Sequence, residues 1–256
     1  MLRLSHEVRG ALWRGLFLAL VLELMLVPAV LYWPQFEVNV GKLRSMTPLP
    51  VLKQLVGTLE SGGVFAYVAG QHFFKGCNVL GAVAAVLFAM GAVAGEAHRG
   101  TLEIWLARPV SRARLLSERW LQGALALCLP VVATTLTIPP LLAQIEIQAR
   151  HAPYLWSALH ECLFLLCIYS ATFLLSCAGR RPLAIAMAML FLTILQFAIY
   201  LIEHVTHWSL IRLVDIEVLM RIQARLSLDP KLVGAMLGFI AVCFALSHAA
   251  FRRRVP

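Results

Sequence analysis

Six apolar runs of about 20 residues divide the chain and limit its possible folds more than any other feature. They cover residues 15–33, 73–95, 121–143, 155–178, 183–202 and 232–251. A helix of that length crosses about 30 Å of hydrocarbon, and in a bilayer only a helix satisfies its backbone polar groups within a single run. With 61% hydrophobic and 14% charged residues, the chain lacks the polar surface of a soluble domain. The sequence predicts an all-α integral membrane protein with six transmembrane helices, forming one domain over residues 1–256.

The basic residues orient these six spans. Thirteen of the 22 Lys and Arg residues lie in four segments that would share one side of the membrane, namely 1–14, 95–120, 179–182 and 252–256. Arg180 and Arg181 lie directly against a helix end. Because cytoplasmic loops are enriched in Lys and Arg, both termini are predicted to be cytoplasmic. The net charge of +9 has the same explanation, and no interleaving of aromatic and basic residues indicates a nucleic-acid partner.

Three segments lie outside the spans. Residues 2–14 and residues 209–227 each place apolar side chains on one helical face and charged ones elsewhere, which is typical of interfacial helices. We therefore expect an amphipathic N-terminal interfacial helix, and short extracellular helices before the sixth span. Residues 35–72 form a longer outside segment. The residues expected to break any regular helix there are Pro48, Pro50, Gly62 and Gly63.

The loop between the second and third spans, residues 96–119, is the most charge-dense interior stretch. We expect the second span to run on to Glu96 and Gly100 to interrupt it. Residues 101–107 are predicted to form a short helix that Pro109 ends, because the residue before a proline avoids the helical region. Ser111 is expected to cap the helix that leads into the third span.

The order of residues in this loop is specific. From Glu96 it reads E-x-x-R-G-T-L-E, and from Leu106 it reads L-A-R-P-V-S-R. This order resembles the cytoplasmic loop of ABC transporter permeases of the type-2 exporter class (ABC-2 type), in which a short helix docks into a groove on the ATPase subunit. Leu102, Trp105 and Leu106 would form an exposed apolar anchor for that groove. The coupling residues that the resemblance implies are Glu96, Arg99, Gly100, Thr101, Leu102, Glu103, Trp105, Arg108, Pro109 and Arg112.

The resemblance implies a transmembrane permease subunit of an ATP-driven exporter in the bacterial inner membrane. The chain has no phosphate-binding G-x-x-x-x-G-K-[ST] sequence, so we expect it to be no enzyme itself and to bind no cofactor. ATP and Mg would be held by a separate ATP-binding-cassette ATPase subunit. A second permease copy, in a homodimer or heterodimer, would complete the pathway, and a hydrophobic or amphipathic substrate is expected.

Two polar residues within the spans are candidates for the substrate path, Glu23 and Gln196. An unpaired carboxylate at the depth of Glu23 costs about 2.5 kcal/mol or more. It either contacts substrate at the dimer interface or accepts a hydrogen bond from a neighbouring helix. Gln196 is either an interhelical hydrogen-bonding residue or part of the same path. His160 and Glu161 are placed near the outer end of the fourth span, where water can reach them.

Two other classes of protein are alternatives to the permease. A polytopic membrane enzyme or assembly factor not powered by ATP needs catalytic residues clustered at one membrane face, and G-x-S-x-G is absent. A structural or sensory membrane subunit is a further alternative. His204 and His207 beside Glu203 could bind zinc, but no second ligand group accompanies them, so no metal site is predicted. The six cysteines form no C-x-x-C pair and are expected to be small buried hydrophobic residues.

Overall fold

The computed structural model describes residues 2–46, 50–107 and 110–253, and these residues form helices and turns without any strand. The α-helices are α1 (Leu2–Met46), α2 (Pro50–Val68), α3 (Ala82–Met90), α4 (Ala94–His98), α5 (Leu102–Leu106), α6 (Arg112–Leu136), α7 (Ile138–Ala143), α8 (His151–Ala178), α9 (Pro182–Tyr200), α10 (Ile216–Arg225) and α11 (Pro230–Arg252). A π-helical segment, Ala69–Gly81, joins α2 to α3. Two short 3-10 helices, Thr206–Trp208 and Leu210–Val214, precede α10.

Six helical stretches among the described residues are long and apolar enough to cross a membrane, which confirms the predicted six-helix, all-α fold. They are Val8–Lys42, Val56–Met90, Arg112–Ala143, His151–Ala178, Pro182–Tyr200 and Pro230–Arg252. Because successive crossings alternate in direction, the bundle has two ends. The "termini side" holds the first and last described residues and residues 91–107, 110–111 and 179–181. The "α10 side" holds residues 43–46, 50–55, 144–150 and 201–229.

The first two spans extend well beyond the predicted apolar runs. α1 has 45 residues, about 67 Å at 1.5 Å per residue. Residues 2–14 form the start of α1 and continue without a break into the first span, and their place at the membrane interface stays a prediction. The prediction that residues 35–72 form no regular helix is wrong, because α1 continues to Met46 and packs against α2. Within α2 only Gly63, at φ 60° and ψ −152°, departs from helical geometry. Pro48 lies outside the described residues.

Aromatic side chains join the second half of α1 to the end of α2. Trp33 and Phe36 of α1 contact the ring of Tyr67, with ring centroids 5.1 and 4.5 Å apart. The Tyr67 hydroxyl donates to the carbonyl oxygen of Ala29 at 3.1 Å. Contacts of this kind outweigh the weak helix propensity of the glycines in α2.

The helix α8 lies at the centre of the bundle and packs against α3, α6 and α11. Its Tyr169 is fully buried and donates a hydrogen bond to the carbonyl oxygen of Trp120 on α6 at 3.1 Å. The two helices approach closely there because Gly123 has no side chain. On the other faces of α8, α9 and α11 pack separately, so α8 positions both of the last two spans.

The short helix α10 is anchored to the end of α9 by Asp215. Its Oδ1 accepts hydrogen bonds from the Tyr200 hydroxyl at 2.9 Å and from the Ile216 backbone N–H at 2.7 Å. Burial raises the pKa of Asp215 above its ordinary value, and the hydrogen bonds from Tyr200 and Ile216 oppose that rise only in part. Asp215 therefore caps the start of α10, and its burial there disfavours the charged carboxylate.

We expect Asp215→Asn to reduce the pH dependence of stability in the mildly acid range. Because the pKa of Asp215 is higher in the folded protein than in the unfolded chain, its ionisation opposes folding. The stability that it contributes therefore falls as the pH rises from its ordinary pKa through the folded one. Asn keeps an acceptor oxygen for Tyr200 and Ile216 without ionising. Thermal unfolding in detergent at several pH values checks this, and a wild-type-to-variant difference that stays constant with pH would contradict it.

Candidate functional site

The joint between α3 and α4 is held by a serine of α8. The hydroxyl of Ser176 accepts hydrogen bonds from the backbone N–H groups of Val93 at 3.1 Å and Ala94 at 3.0 Å, and donates to the carbonyl oxygen of Met90 at 2.9 Å. The regular helix of the second span therefore ends at Met90 and does not run on to Glu96 as predicted. A buried hydroxyl satisfies three backbone groups that the break in the helix frees.

The carboxylate of Glu96 stabilises a turn at the start of the 96–119 loop. It accepts a hydrogen bond from Arg99 Nη2 at 2.6 Å and another from the hydroxyl of Thr101, whose backbone N–H donates to the Glu96 carbonyl at 3.0 Å. Gly100 lies between them at φ +69°, a conformation that glycine adopts without strain. The Arg99 side chain is 63% exposed, so this ion pair contributes less than about 1 kcal/mol. Its main effect is on the shape of the loop.

The exposure predicted for Leu102 is wrong. Leu102 is only 7% exposed and belongs to the hydrophobic core of the bundle, because the turn at Gly100 directs it back toward the helices. The outward face of α5 carries Glu103 and Ile104, and Ile104 is 51% exposed. Leu102 therefore anchors α5 to the bundle, and its part in coupling stays a prediction.

Three further predicted coupling residues are described in part or not at all. Trp105 lies within α5, while Arg108 and Pro109 lie outside the described residues. The helix α5 ends at Leu106, and Pro109 as the cause of that end stays a prediction.

The second half of the loop is fixed to the bundle at its start. Ser111 caps α6 as predicted, because its hydroxyl accepts a hydrogen bond from the backbone N–H of Arg114 at 3.3 Å. Arg112 Nη1 donates to the carbonyl oxygen of Arg252 at 3.3 Å, which ties the start of α6 to the end of α11. Both ends of the loop therefore connect to spans, through Ser176 on one side and through Arg112 on the other.

The two candidates for the substrate path make hydrogen bonds within the bundle and lie on different helices. Glu23 of α1 accepts a hydrogen bond from the hydroxyl of Thr137, at the junction of α6 and α7, at 3.1 Å. Gln196 of α9 accepts a hydrogen bond at its side-chain oxygen from the backbone N–H of Leu210 at 2.8 Å, and at its carbonyl from the hydroxyl of Ser209 at 2.7 Å. Both residues therefore make hydrogen bonds within the bundle, which is one of the two roles predicted for each of them.

The fourth span contains polar groups that sequence reasoning placed in contact with water. His160 and Glu161 are both fully buried, so that placement is wrong. His160 Nε2 donates to the carbonyl oxygen of Leu213 at 2.7 Å. Neither carboxylate oxygen of Glu161 has a hydrogen-bond partner among the described residues. Sequence reasoning also missed His72, whose ring lies 3.3 Å from the hydroxyls of two threonines on α6.

The histidines and cysteines of the described residues are the remaining candidates for metal binding. No group of three or more His, Cys, Asp or Glu side chains is placed in the described part of the chain to hold an ion. His204 and His207 flank the start of the first 3-10 helix. The six cysteines are free thiols, four buried and two partly buried, which agrees with their prediction as small hydrophobic residues.

The chain was compared with models of known protein families. A family model described as ABC-2 family transporter protein matches residues 4–254. That match covers all six spans and the whole loop. No curated protein matches the chain. The chain belongs to the ABC-2 family of transporter proteins.

Proposed function

We propose that this chain is the transmembrane permease subunit of an ATP-driven ABC exporter in a bacterial inner membrane. A separate ATP-binding-cassette subunit would bind and hydrolyse ATP with Mg, and a second permease copy, identical or different, would complete the pathway. The termini side would face the cytoplasm, where the ATPase binds. The substrate would be hydrophobic or amphipathic.

The attachment of the 96–119 loop at both ends is the observation that carries this proposal. The joint that directly precedes the loop, at residues 93 and 94, is bound to α8 through Ser176, the first turn of the loop is shaped by Glu96, and its second half continues into α6. A segment fixed in this way transmits a displacement to the spans, whereas a mobile loop would absorb it. Glu103 and Ile104 are exposed between the two attachments, so a partner can contact them without unfolding the loop.

An apolar cavity between α8, α9 and α11 supports the proposal that Gln196 lies on the substrate path. Gln196 lines this cavity, which is otherwise almost entirely apolar. Glu23 is only partly exposed on α1 and is held by Thr137. Gln196 is therefore better placed than Glu23 to contact a hydrophobic substrate within one permease copy. A contact of Glu23 with substrate would require the second copy.

We expect Glu103→Arg to uncouple ATP hydrolysis from transport. The change reverses the charge on the exposed face of α5 while leaving the Glu96 network and the Ser176 joint unchanged. Transport by the complex with its ATPase should fall at least about tenfold, which corresponds to 1.4 kcal/mol of lost coupling. The measurements are ATPase activity and substrate export in the same proteoliposomes, together with membrane insertion.

Glu37→Arg serves as the control for this experiment, because Glu37 is also exposed but lies toward the opposite end of the bundle. This control should insert, assemble and transport like the wild type. If Glu103→Arg retains both complex assembly and coupled transport, the assignment of the 96–119 loop as the coupling element is wrong.

A further inference from the structure

Two adjoining cavities beside α8, one of them the apolar cavity that Gln196 lines, point to a ligand that enters from the membrane. The first, about 410 Å³, lies between α8, α10 and the start of α11, and is lined by Arg221, Arg225 and Lys231. The second, about 300 Å³, lies between α8, α9 and α11, and its lining is almost entirely apolar. Leu232 lines both cavities, so a charged compartment and an apolar one meet at this residue.

The first cavity carries a net positive charge. Its one carboxylate is Asp229, whose Oδ1 accepts a hydrogen bond from the backbone N–H of Lys231 at 2.9 Å and so caps α11. Arg221 and Arg225 are exposed on the outer face of α10, and neither forms an ion pair in the part of the chain that the structure describes. Guanidinium groups bind phosphate with two parallel hydrogen bonds. The cavity thus presents donors suited to an anionic group.

A buried histidine in the wall of this cavity has one ring nitrogen without a partner. His160 is fully buried and donates from Nε2 to the carbonyl oxygen of Leu213, while its Nδ1 has no hydrogen-bond partner among the described residues. With Nε2 protonated, Nδ1 of the neutral ring is an acceptor. Leaving a buried polar atom unpaired is unfavourable, and a hydroxyl group of a ligand would satisfy it.

The two cavities together follow one face of α8 to the depth of a single leaflet. His160 lines the first, and Phe164, Cys167 and Ala171 line the second, at spacings that place all four on one side of the helix. From the first to the last, α8 rises about 16 Å at 1.5 Å per residue. That is about half of the roughly 30 Å of hydrocarbon in a bilayer. An acyl chain entering at the charged end would therefore stay within its own leaflet.

The apolar cavity is also open to the membrane. Leu192 of α9 and Phe239 of α11 line it and are 46% and 48% exposed. Because α9 and α11 both pack on α8, the opening between them faces the lipid. A lipid chain can enter sideways, so the ligand need not come from the aqueous phase.

We propose that these cavities bind one anionic phospholipid from the leaflet on the α10 side. Arg221, Arg225 and Lys231 hold the headgroup phosphate, and His160 Nδ1 accepts a hydrogen bond from a headgroup hydroxyl. One acyl chain fills the apolar cavity between α8, α9 and α11. The acyl chain would occupy the apolar cavity that is also proposed for the substrate. Its binding is measured on the purified chain without an ATPase or a second permease copy, so a failure of this proposal can be distinguished from a failure of the proposed transport function.

The headgroup is tested with the purified chain in mild detergent, by native mass spectrometry during titration with phosphatidylglycerol or phosphatidylcholine. We expect phosphatidylglycerol to bind at least about tenfold more tightly. The double variant Arg221→Ala/Arg225→Ala should weaken its binding about 30-fold, since each cation near a membrane surface contributes about a factor of five. Binding of phosphatidylcholine should change little.

The control for charge is the double variant Arg180→Ala/Arg181→Ala, which removes two exposed arginines on the termini side. It should bind phosphatidylglycerol like the wild type. Equal affinity for the two lipids, or an equal loss in this control, would overturn the proposal, because the arginines of α10 would then not recognise the headgroup.

The acyl chain is tested by filling the apolar cavity. Ala171→Phe should weaken binding of both phospholipids at least about tenfold, whereas Ala188→Phe, on an exposed face of α9 outside the cavity, should not. If Ala171→Phe fails to fold, Ala235→Phe takes its place, since Ala235 lines the cavity at its exposed side. Unchanged binding in the cavity-filling variant would show that no acyl chain enters.

Discussion

Gly123→Ala is expected to destabilise the protein by about 2–4 kcal/mol, because α6 and α8 meet at this glycine. A Cβ atom at this position would lie 2.2 Å from Tyr169 Oη and 2.8 Å from its Cζ. The tyrosine is fully buried, so its ring cannot swing away without disturbing the core. Overpacking of this kind costs about 1–3 kcal/mol, and loss of the hydrogen bond to the Trp120 carbonyl adds about 1 kcal/mol. The free energy of unfolding in detergent measures the effect.

The helix α11 offers a matched control for this substitution. A Cβ added at Gly234 meets nothing within 4 Å, so Gly234→Ala should be neutral or stabilising, since alanine favours a helix by up to about 1 kcal/mol over glycine. In a Tyr169→Leu background, Gly123→Ala should cost less than in the wild type, because the conflicting hydroxyl and ring are gone. Equal costs in the two backgrounds would show that the contact with Tyr169 does not set the packing of α6 on α8.

The spans could be predicted from the sequence because their signal is local. Each apolar run is long enough to cross a bilayer by itself, and Ser111 precedes a helix in the position of a cap. The limits of α1 and α2 could not be predicted, since they depend on contacts between these two helices, such as the Trp33 and Phe36 rings against Tyr67. Glycine propensity is too weak to end a helix that packs in this way.

The candidate site likewise contains local contacts that could be predicted from the sequence and long-range contacts that could not. The Glu96, Arg99 and Thr101 contacts lie within six residues of sequence, and a motif can encode them. Ser176 could not be recognised, because its partner Met90 is 86 positions away in the chain, and a serine within an apolar run is common in membrane helices. The burial of Leu102 was missed for a related reason: the face that a short helix turns toward the bundle depends on the preceding turn at Gly100, which periodicity alone does not show.

Ser176→Ala is expected to loosen the attachment of the 96–119 loop while leaving the bundle folded. The change leaves the Val93 and Ala94 N–H groups and the Met90 carbonyl without the hydroxyl that they contact now. Leaving a buried group unsatisfied costs about 1–3 kcal/mol, and part of that cost is recovered as the joint relaxes. Local opening should therefore become easier by about 2 kcal/mol, or roughly 30-fold. Hydrogen–deuterium exchange at the amides of Val93 and Ala94 measures this opening directly.

A second buried serine on the same helix provides the control. The hydroxyl of Ser157 donates to the Pro153 carbonyl within α8 itself, so Ser157→Ala should leave exchange at residues 93 and 94 unchanged. If the loop is the coupling element, Ser176→Ala should also lower transport per ATP hydrolysed, because a looser joint transmits less of the ATPase displacement to α8. Faster exchange without any loss of coupling would support the joint but refute the proposed route. Unchanged exchange would show that the serine does not hold the joint at all.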